Sequence, residues 1–569
     1  MQRRTSGLSG QLTSYGDQGF SRFLRRAFAK GMGLGDASLD RPVIGIAQTW
    51  SELNPCHAHF RQLAEAVKRG VLLAGGLPRE FPTISLGETF LSPTAMLYRN
   101  LLAMDTEEML RAQPLDAVVL LGSCDKTIPA QLMAAASADL PAILLPGGPM
   151  LDGHYAGETL GACTDCRRYW TEYRAGRLAE QHLAALEDAL APSAGHCMVM
   201  GTASSMACCA EALGMTLPGA AAIPAPLAAR YRLAEATGVR AVALAIEDLR
   251  PSRILTPAAF DNAIRLLCAL GGSTNAVIHL TAIAGRTGLR LTPAHFDALS
   301  RATPLLGNLK PAGQFSMSDL YEAGGVPAVL KELEPLLDGA CLTVSGRTLA
   351  EELAGAARAE RRRDVVAALD RPLAAEGGLA AVYGNLAPDG AIIKHAAATP
   401  ALLRHRGRAV VFASPDDLAA RLDDPALAIR ADDVLLLQNA GPIGGPGMPE
   451  VGNLPIPTRL LQAGVRDMLR ISDARMSGTA FGTILLHVSP EAAAGGPLAL
   501  VRDGDQIDLD VPARTVRVLI DDRELERRHA VLPLRPAPRA RGYLALYAGH
   551  VQQADRGCDF DFLLPEEAR

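Results

Sequence analysis

Cys124, Asp125 and Lys126 stand side by side just after an apolar run, Ala117 to Leu121, and a Gly-Ser pair. A thiolate is a soft-metal ligand, a carboxylate suits hard cations, and a lysine amine is a titratable base. Three kinds of chemistry therefore meet at one predicted strand end. In an open parallel sheet, ligands bind beyond the carboxyl ends of the strands. Alone, the tripeptide also fits an ordinary loop. Cys56 and Glu88 repeat the placement, after the predicted strands Val43 to Ala47 and Pro82 to Leu86. Taken singly, Cys56 reads as a packed cysteine and Glu88 as a solvated or capping residue. Taken as a set, parallel adjacent strands bring all of them to one sheet edge.

Further candidates lie in loops. Cys197 sits in Gly195-His196-Cys197-Met198-Val199-Met200-Gly201, whose small residues permit close backbone approach to a cofactor. Asn439 to Glu450 is too rich in Gly and Pro for a helix; it suits a backbone approach to an anion and ends on a carboxylate. Ser477 lies in Ser472-Asp473-Ala474-Arg475-Met476-Ser477-Gly478-Thr479. It reads as a nucleophile, a base or a turn residue; the G-x-S-x-G elbow is absent. Cys163-Thr164-Asp165-Cys166 is a lone CxxC in a predicted polar loop, a weak signal read here as carrying no chemistry. His279 and Cys208-Cys209 read as core.

The elements that must position these groups follow from pattern. Asn54 and Pro55 predict a helix from there to about Ala74, with Cys56 in its first turn, where the helix dipole favours a thiolate. Helices are also predicted over Ser21 to Lys30, Thr89 to Met104, 169–190, Thr202 to Leu213, and Phe260 to Ala284 with an interruption at Gly271-Gly272. After about residue 375 the pattern changes to short strands and tight turns. They are Ala380 to Tyr383, Ala409 to Phe412, Val434 to Leu437, Met468 to Ile471, Phe481 to Val488, Leu498 to Val501, Gln506 to Leu509 and Thr515 to Ile520. The fold expected is α/β: an N-terminal doubly wound parallel-sheet domain, residues 1–375, and a strand-rich, barrel-like C-terminal domain, residues 376–569.

The totals exclude several function classes. With 569 residues, 49% hydrophobic and 21% charged, the chain can bury a large core. A net charge of −5 and 4% aromatic content argue against nucleic acid as a partner. No apolar run is long enough to span a membrane, and Met1-Gln2-Arg3-Arg4 is followed by polar residues rather than a leader. The expectation is a cytosolic protein whose ten cysteines form no disulfide framework.

Together these segments resemble the dihydroxy-acid, 6-phosphogluconate and sugar-acid dehydratases. The likeness rests on Cys124-Asp125-Lys126-Thr127-Ile128-Pro129-Ala130 and on Ser472 to Thr479. Gly271 to Asn275, Gly441 to Glu450 and His487-Val488-Ser489-Pro490-Glu491 support it, and it runs from about residue 40 to the end. Asn54 to His59, Leu86-Gly87-Glu88-Thr89, Pro449 to Asn453 and the tail from Gly542 to Phe562 look closest to the aldonate branch, the arabinonate and xylonate dehydratases. The resemblance implies a 2Fe–2S cluster on Cys56, Cys124 and Cys197, with one iron left open, since four cysteines are the usual set. It implies Mg²⁺ on Glu88, Asp125, Glu450 and a carbamylated Lys126, with Ser477 as base and Thr479 beside it. The implied reaction turns an aldonate into its 2-keto-3-deoxy acid, in a homodimer or homotetramer. Two rival readings are the dihydroxy-acid dehydratase of branched-chain amino-acid synthesis and a non-catalytic iron–sulfur redox or sensor protein. Gln48, Pro192, Ile443 and Ser472 depart from the family pattern; none is an implied ligand, so they bear on substrate identity.

Overall fold

The computed structural model describes residues 7–13, 15–532 and 541–566. The residues at the very N-terminus read above for a leader lie outside the described residues. A four-stranded sheet, β1 Val43–Gln48, β2 Leu77–Pro82, β3 Ala117–Gly122 and β4 Ala142–Pro146, has the order β2-β1-β3-β4 and is parallel throughout. Every residue of β1, β3 and β4 is buried. Strands covered on both faces have no polar side to show, which is why they read as unbroken apolar runs. Helices Phe60–Leu73 and Ala228–Glu247 cross closely beside the sheet. A Cβ on Gly70 would lie 1.9 Å from the Glu235 carbonyl oxygen, and one on Gly238 2.2 Å from that of Val67. Glycine at both positions is what lets these backbones meet.

Eight later strands close a barrel: β5 Ala380–Gly384, β6 Ala387–Ile393, β7 Arg404–Phe412, β8 Val434–Leu437, β9 Arg470–Ser472, β10 Ile484–Ser489, β11 Gln506–Asp510 and β12 Thr515–Val518. Their order round the barrel is β8-β9-β10-β6-β5-β12-β11-β7. Closure leaves no free strand edge. The mixed α/β architecture, a parallel sheet followed by a barrel, is the one the sequence predicts.

Several local expectations are corrected. No strand covers Pro82 to Leu86. The strand lies earlier, at Leu77–Pro82, an edge position that tolerates Pro78 and Pro82. Beyond it the backbone bonds to side chains instead: Ile84 N–H to Asp105 (2.9 Å), and the Leu86 carbonyl to Asn54 (2.9 Å). The helix expected from Asn54 begins at Phe60, so Cys56 has no helix N-terminus beneath it. Asn54 instead turns the chain, its Oδ1 accepting the Cys56 N–H at 3.2 Å. The helix expected from Thr89 starts at Arg99, after a short 3₁₀ turn, Ala95–Tyr98, capped by Thr94. The single helix expected over 169–190 is two, Ala162–Arg174 and Gln181–Leu190, parted near Gly176 at φ +74°. Cys163 and Cys166 therefore lie on a helix, not in a loop. Strand β6 was not predicted, and Leu498 to Val501 is a 3₁₀ turn, Pro497–Leu500. Among the described residues no helix is long and apolar enough to cross a membrane.

Candidate active site

The loop after β3 carries Cys124, Asp125 and Lys126 into a half-buried cage of charge. The Lys126 ammonium touches Asp125 Oδ2 and lies 3.5 Å from Glu88 Oε2 and 3.7 Å from Glu450 Oε1. One carboxylate oxygen from each of Glu88, Asp125 and Glu450 lies within 4.8 Å of the others. Arg475 is fully buried beside them, giving Nη1 to Glu450 (3.0 Å), Nη2 to the Thr94 hydroxyl (3.2 Å) and Nε to the Met448 carbonyl (2.8 Å). Glu88 is held from its other side by the Thr94 hydroxyl at 2.6 Å and the Ala95 N–H at 3.1 Å. Three carboxylates thus face two cations. Burial works against the Lys126 ammonium, yet Asp125, Glu88 and Glu450 outweigh it and hold its pKa above the usual range. Burial, with Glu88 and Asp125 nearby, raises the pKa of Glu450. A site with one carboxylate in excess, all oxygen donors, fits a further hard cation.

The thiols lie on the same sheet edge. The Cys124 N–H donates to His57 Nε2 at 3.1 Å, while His57 Nδ1 faces the Thr49 carbonyl at 2.8 Å. The Nδ1 proton serves that carbonyl, which leaves Nε2 as the acceptor. The Cys56 and Cys124 thiols are hydrogen-bonded to each other; that bond first, and burial next, push the Cys124 thiol well above its ordinary range. The Cys197 loop is tied to the Cys56 turn by Gly195 N–H to the Pro55 carbonyl, 3.4 Å. Cys197 Sγ lies 2.9 Å from Cys163 Sγ. Among the described residues no three cysteines converge as tightly as the three carboxylates. The donor set of Cys56 and Cys124, with Cys197 on the adjoining loop, nonetheless suits a soft cofactor larger than a single ion.

Ser477 enters from the barrel on the loop after β9. Its hydroxyl is 2.8 Å from that of Thr479. The loop docks on glycine-sized gaps: a Cβ on Gly201 would sit 2.6 Å from Thr479 Cγ2, and one on Gly478 2.5 Å from Ser273 Oγ. Asn275 joins this loop to the cage, its Nδ2 lying 3.0 Å from the Met476 carbonyl and 3.3 Å from Glu450 Oε1. The interruption at Gly271-Gly272 is a break between two helices, Pro257–Ala269 and Asn275–Arg286, rather than a bend in one.

Sequence reasoning assigned no role to Arg475, Asn275, His57 or Thr94, and dismissed Cys163. The one available signal was Arg475, an invariably charged side chain inside an otherwise small-residue loop. The anion met by the Gly/Pro-rich loop is the chain's own Glu491, which accepts from Ile443 N–H (2.9 Å) and Gly444 N–H (2.8 Å). His279 is buried as expected and bonded through Nδ1 to Arg99 at 3.2 Å, but its Nε2 finds no partner among the described residues.

Comparison with known proteins follows the same lines. Residues 41–352 match the model for the dihydroxy-acid/6-phosphogluconate dehydratase N-terminal region, and residues 364–558 that for the C-terminal region. The chain is 52% identical to the L-arabonate dehydratase of Azospirillum brasilense over 97% of this chain and 96% of that one. It is 50% identical to the 6-deoxy-6-sulfo-D-gluconate dehydratase of Pseudomonas putida, over 93% and 92%. It is 48% identical to the L-arabinonate dehydratase of Rhizobium leguminosarum bv. trifolii, over 96% and 95%.

Proposed function

The chain belongs to the dihydroxy-acid/6-phosphogluconate dehydratase family and is a hydro-lyase, and on that premise we propose that it dehydrates a sugar acid, an aldonate such as L-arabinonate or D-xylonate, to the 2-keto-3-deoxy acid. The observation that carries the reading is the charge-unbalanced cage of Glu88, Asp125 and Glu450, one residue from Cys124 and joined through Asn275 to the Ser477 loop. In this reading Glu88, Asp125, Glu450 and a carbamylated Lys126 hold Mg²⁺, and Cys56, Cys124 and Cys197 hold a 2Fe–2S cluster. When bound, the two groups supply Lewis acidity toward the substrate's oxygens.

The chain's own residues do the rest. The Ser477 hydroxyl, once deprotonated, takes the proton from the carbon next to the carboxylate. A serine hydroxyl is a weak base unless the charged form is favoured. Thr479, 2.8 Å away, donates its hydrogen to that oxygen and steadies it. The hydroxyl on the neighbouring carbon leaves, the proton taken up by Ser477 completes the water, and the resulting enol tautomerises to the keto acid. Arg475 holds Glu450 in place through its fixed guanidinium geometry.

A polyhydroxylated substrate is favoured over an apolar-tailed one by two atoms near the serine loop. Thr274 Oγ1 and Asn275 Oδ1 are buried with no hydrogen-bond partner among the described residues. Buried polar groups are costly to leave unpaired, and substrate hydroxyls would pair them. The enzyme is read as a cytosolic homodimer or homotetramer. The test is an anaerobic panel of aldonates with 2,3-dihydroxy-isovalerate alongside, assayed for keto acid. An aldonate is expected to be the best substrate. Preference for dihydroxy-isovalerate would move the assignment to branched-chain synthesis, and no product from either class would overturn the aldonate reading.

A further inference from the structure

The CxxC that the reaction leaves unused is held in a fixed pose. Thr164, between its cysteines, gives its hydroxyl to the Thr479 carbonyl at 2.8 Å. Asp165 accepts from the Gly161 N–H at 2.7 Å and from Lys310 at 2.9 Å. These anchors pin the first turn of the helix Ala162–Arg174 on two sides. They aim Cys163 Sγ at Cys197 Sγ, 2.9 Å away, with both residues half-buried. Cys166 turns its sulfur to the Cys163 carbonyl, at 3.3 Å. A bonded pair of sulfurs sits at about 2.05 Å, so closure needs a shift of less than one atomic radius.

From this pairing we propose that Cys163 is a resolving thiol, forming a reversible disulfide with Cys197 whenever that residue is not bound to iron. The role rests on the reading of Cys197 as a cluster ligand. With hydrogen peroxide as oxidant, the Cys197 sulfur attacks one peroxide oxygen, the O–O bond breaks, and water leaves. The sulfenic acid so formed is attacked by the Cys163 sulfur. The S–S bond forms and a second water carries away the hydroxyl oxygen and the thiol proton. Two thiols lose two electrons in all, and one peroxide becomes two waters. The disulfide blocks iron binding at Cys197, and it also stops the residue from passing to sulfinic or sulfonic acid, which thiols cannot reverse. Reduction returns a ligand-competent chain.

The experiment treats the full-length protein as purified with hydrogen peroxide and maps its peptides by mass spectrometry, before and after dithiothreitol. A Cys163–Cys197 linked peptide is expected, lost on reduction, after which iron and sulfide restore the visible absorption of untreated protein. In Cys163→Ser, most of Cys197 is expected as sulfinic or sulfonic acid, and absorption is not restored. Cys166→Ser is expected to form the link as wild type does; it also serves if Cys163→Ser folds poorly. A Cys163–Cys166 link, or equal over-oxidation of Cys197 in wild type and Cys163→Ser, overturns the proposal. A link that forms in a chain that never binds iron keeps the thiol pair and removes the cluster reading instead.

Discussion

The parallel sheet and the barrel bring their groups to the site by different means. The sheet does it by topology: successive strands end on one edge, and the loops after β1 and β3 carry Cys56, Cys124, Asp125 and Lys126 there. The barrel does it by docking. Its loops after β8 and β9 reach out with Glu450 and Ser477 and are seated against the helical half through Gly201, Gly478, Arg475 and Asn275. The difference divides the labour. The sheet edge holds groups suited to cofactors, and the barrel supplies the proposed base, with Glu450 as the one carboxylate that crosses over. Holding a cofactor and moving a proton should therefore fail separately.

The sharpest break is at the sheet edge. Cys124→Ser is expected to lose iron, visible absorption and activity together, since the cofactor itself goes. Full iron content with normal turnover in that variant would remove Cys124 from the ligand set. On the barrel side, Ser477→Ala is expected to keep iron and absorption while turnover falls by about 10²–10⁴-fold, the span of a lost general base. An active Ser477→Ala enzyme would place the base elsewhere.

The same division explains what the sequence discloses. A buried parallel strand is a local apolar run, so β1, β3 and β4 are legible, and so are the residues just past them. β2 is misplaced because its edge position admits Pro78 and Pro82, which read as strand breakers. β6 is missed because Ala387-Pro388-Asp389-Gly390 opens like a turn and only its second half is apolar. The motif around Ser477 is visible, but what seats it is not. Arg475 meets Thr94 across 381 positions and Asn275 meets Met476 across 201, and no local pattern encodes such pairs. The contact of Cys163 with Cys197 is hidden for the same reason, since the two lie on separate segments 34 positions apart.

Glu450 tests the point where the two halves meet. Glu450→Gln removes one of the cage's three carboxylates and the charged partner of Arg475. Magnesium affinity of the metal-stripped protein, measured by calorimetry, is expected to fall by more than the roughly 10–100-fold that follows when only a ligand's supporting partner is changed. Cluster absorption should be unaffected. Unchanged magnesium affinity would take the carboxylate cage out of the metal reading.

The smallest effect is a proton count in the barrel. His487 is buried, and both of its nitrogens lack partners among the described residues. Burial, with Arg475 adding to it, depresses its pKa to about 3. An unfolded chain returns it to an ordinary value near 6.5. The folded state thus keeps His487 neutral while the unfolded state takes up a proton below that pH, so acidification favours unfolding. Between pH 6.5 and 5.5 this one residue accounts for about 1 kcal/mol of lost stability. Its backbone has φ +57°, a conformation asparagine accepts more readily than most residues. His487→Asn is therefore expected to fold and to lose about 1 kcal/mol less than wild type over that interval in urea unfolding. The difference between the two chains cancels the other buried titratable groups, including Asp473, which burial raises to about 7 with the opposite dependence. Equal acid sensitivity of the two proteins would mean that His487 is protonated, or solvated, in the folded barrel.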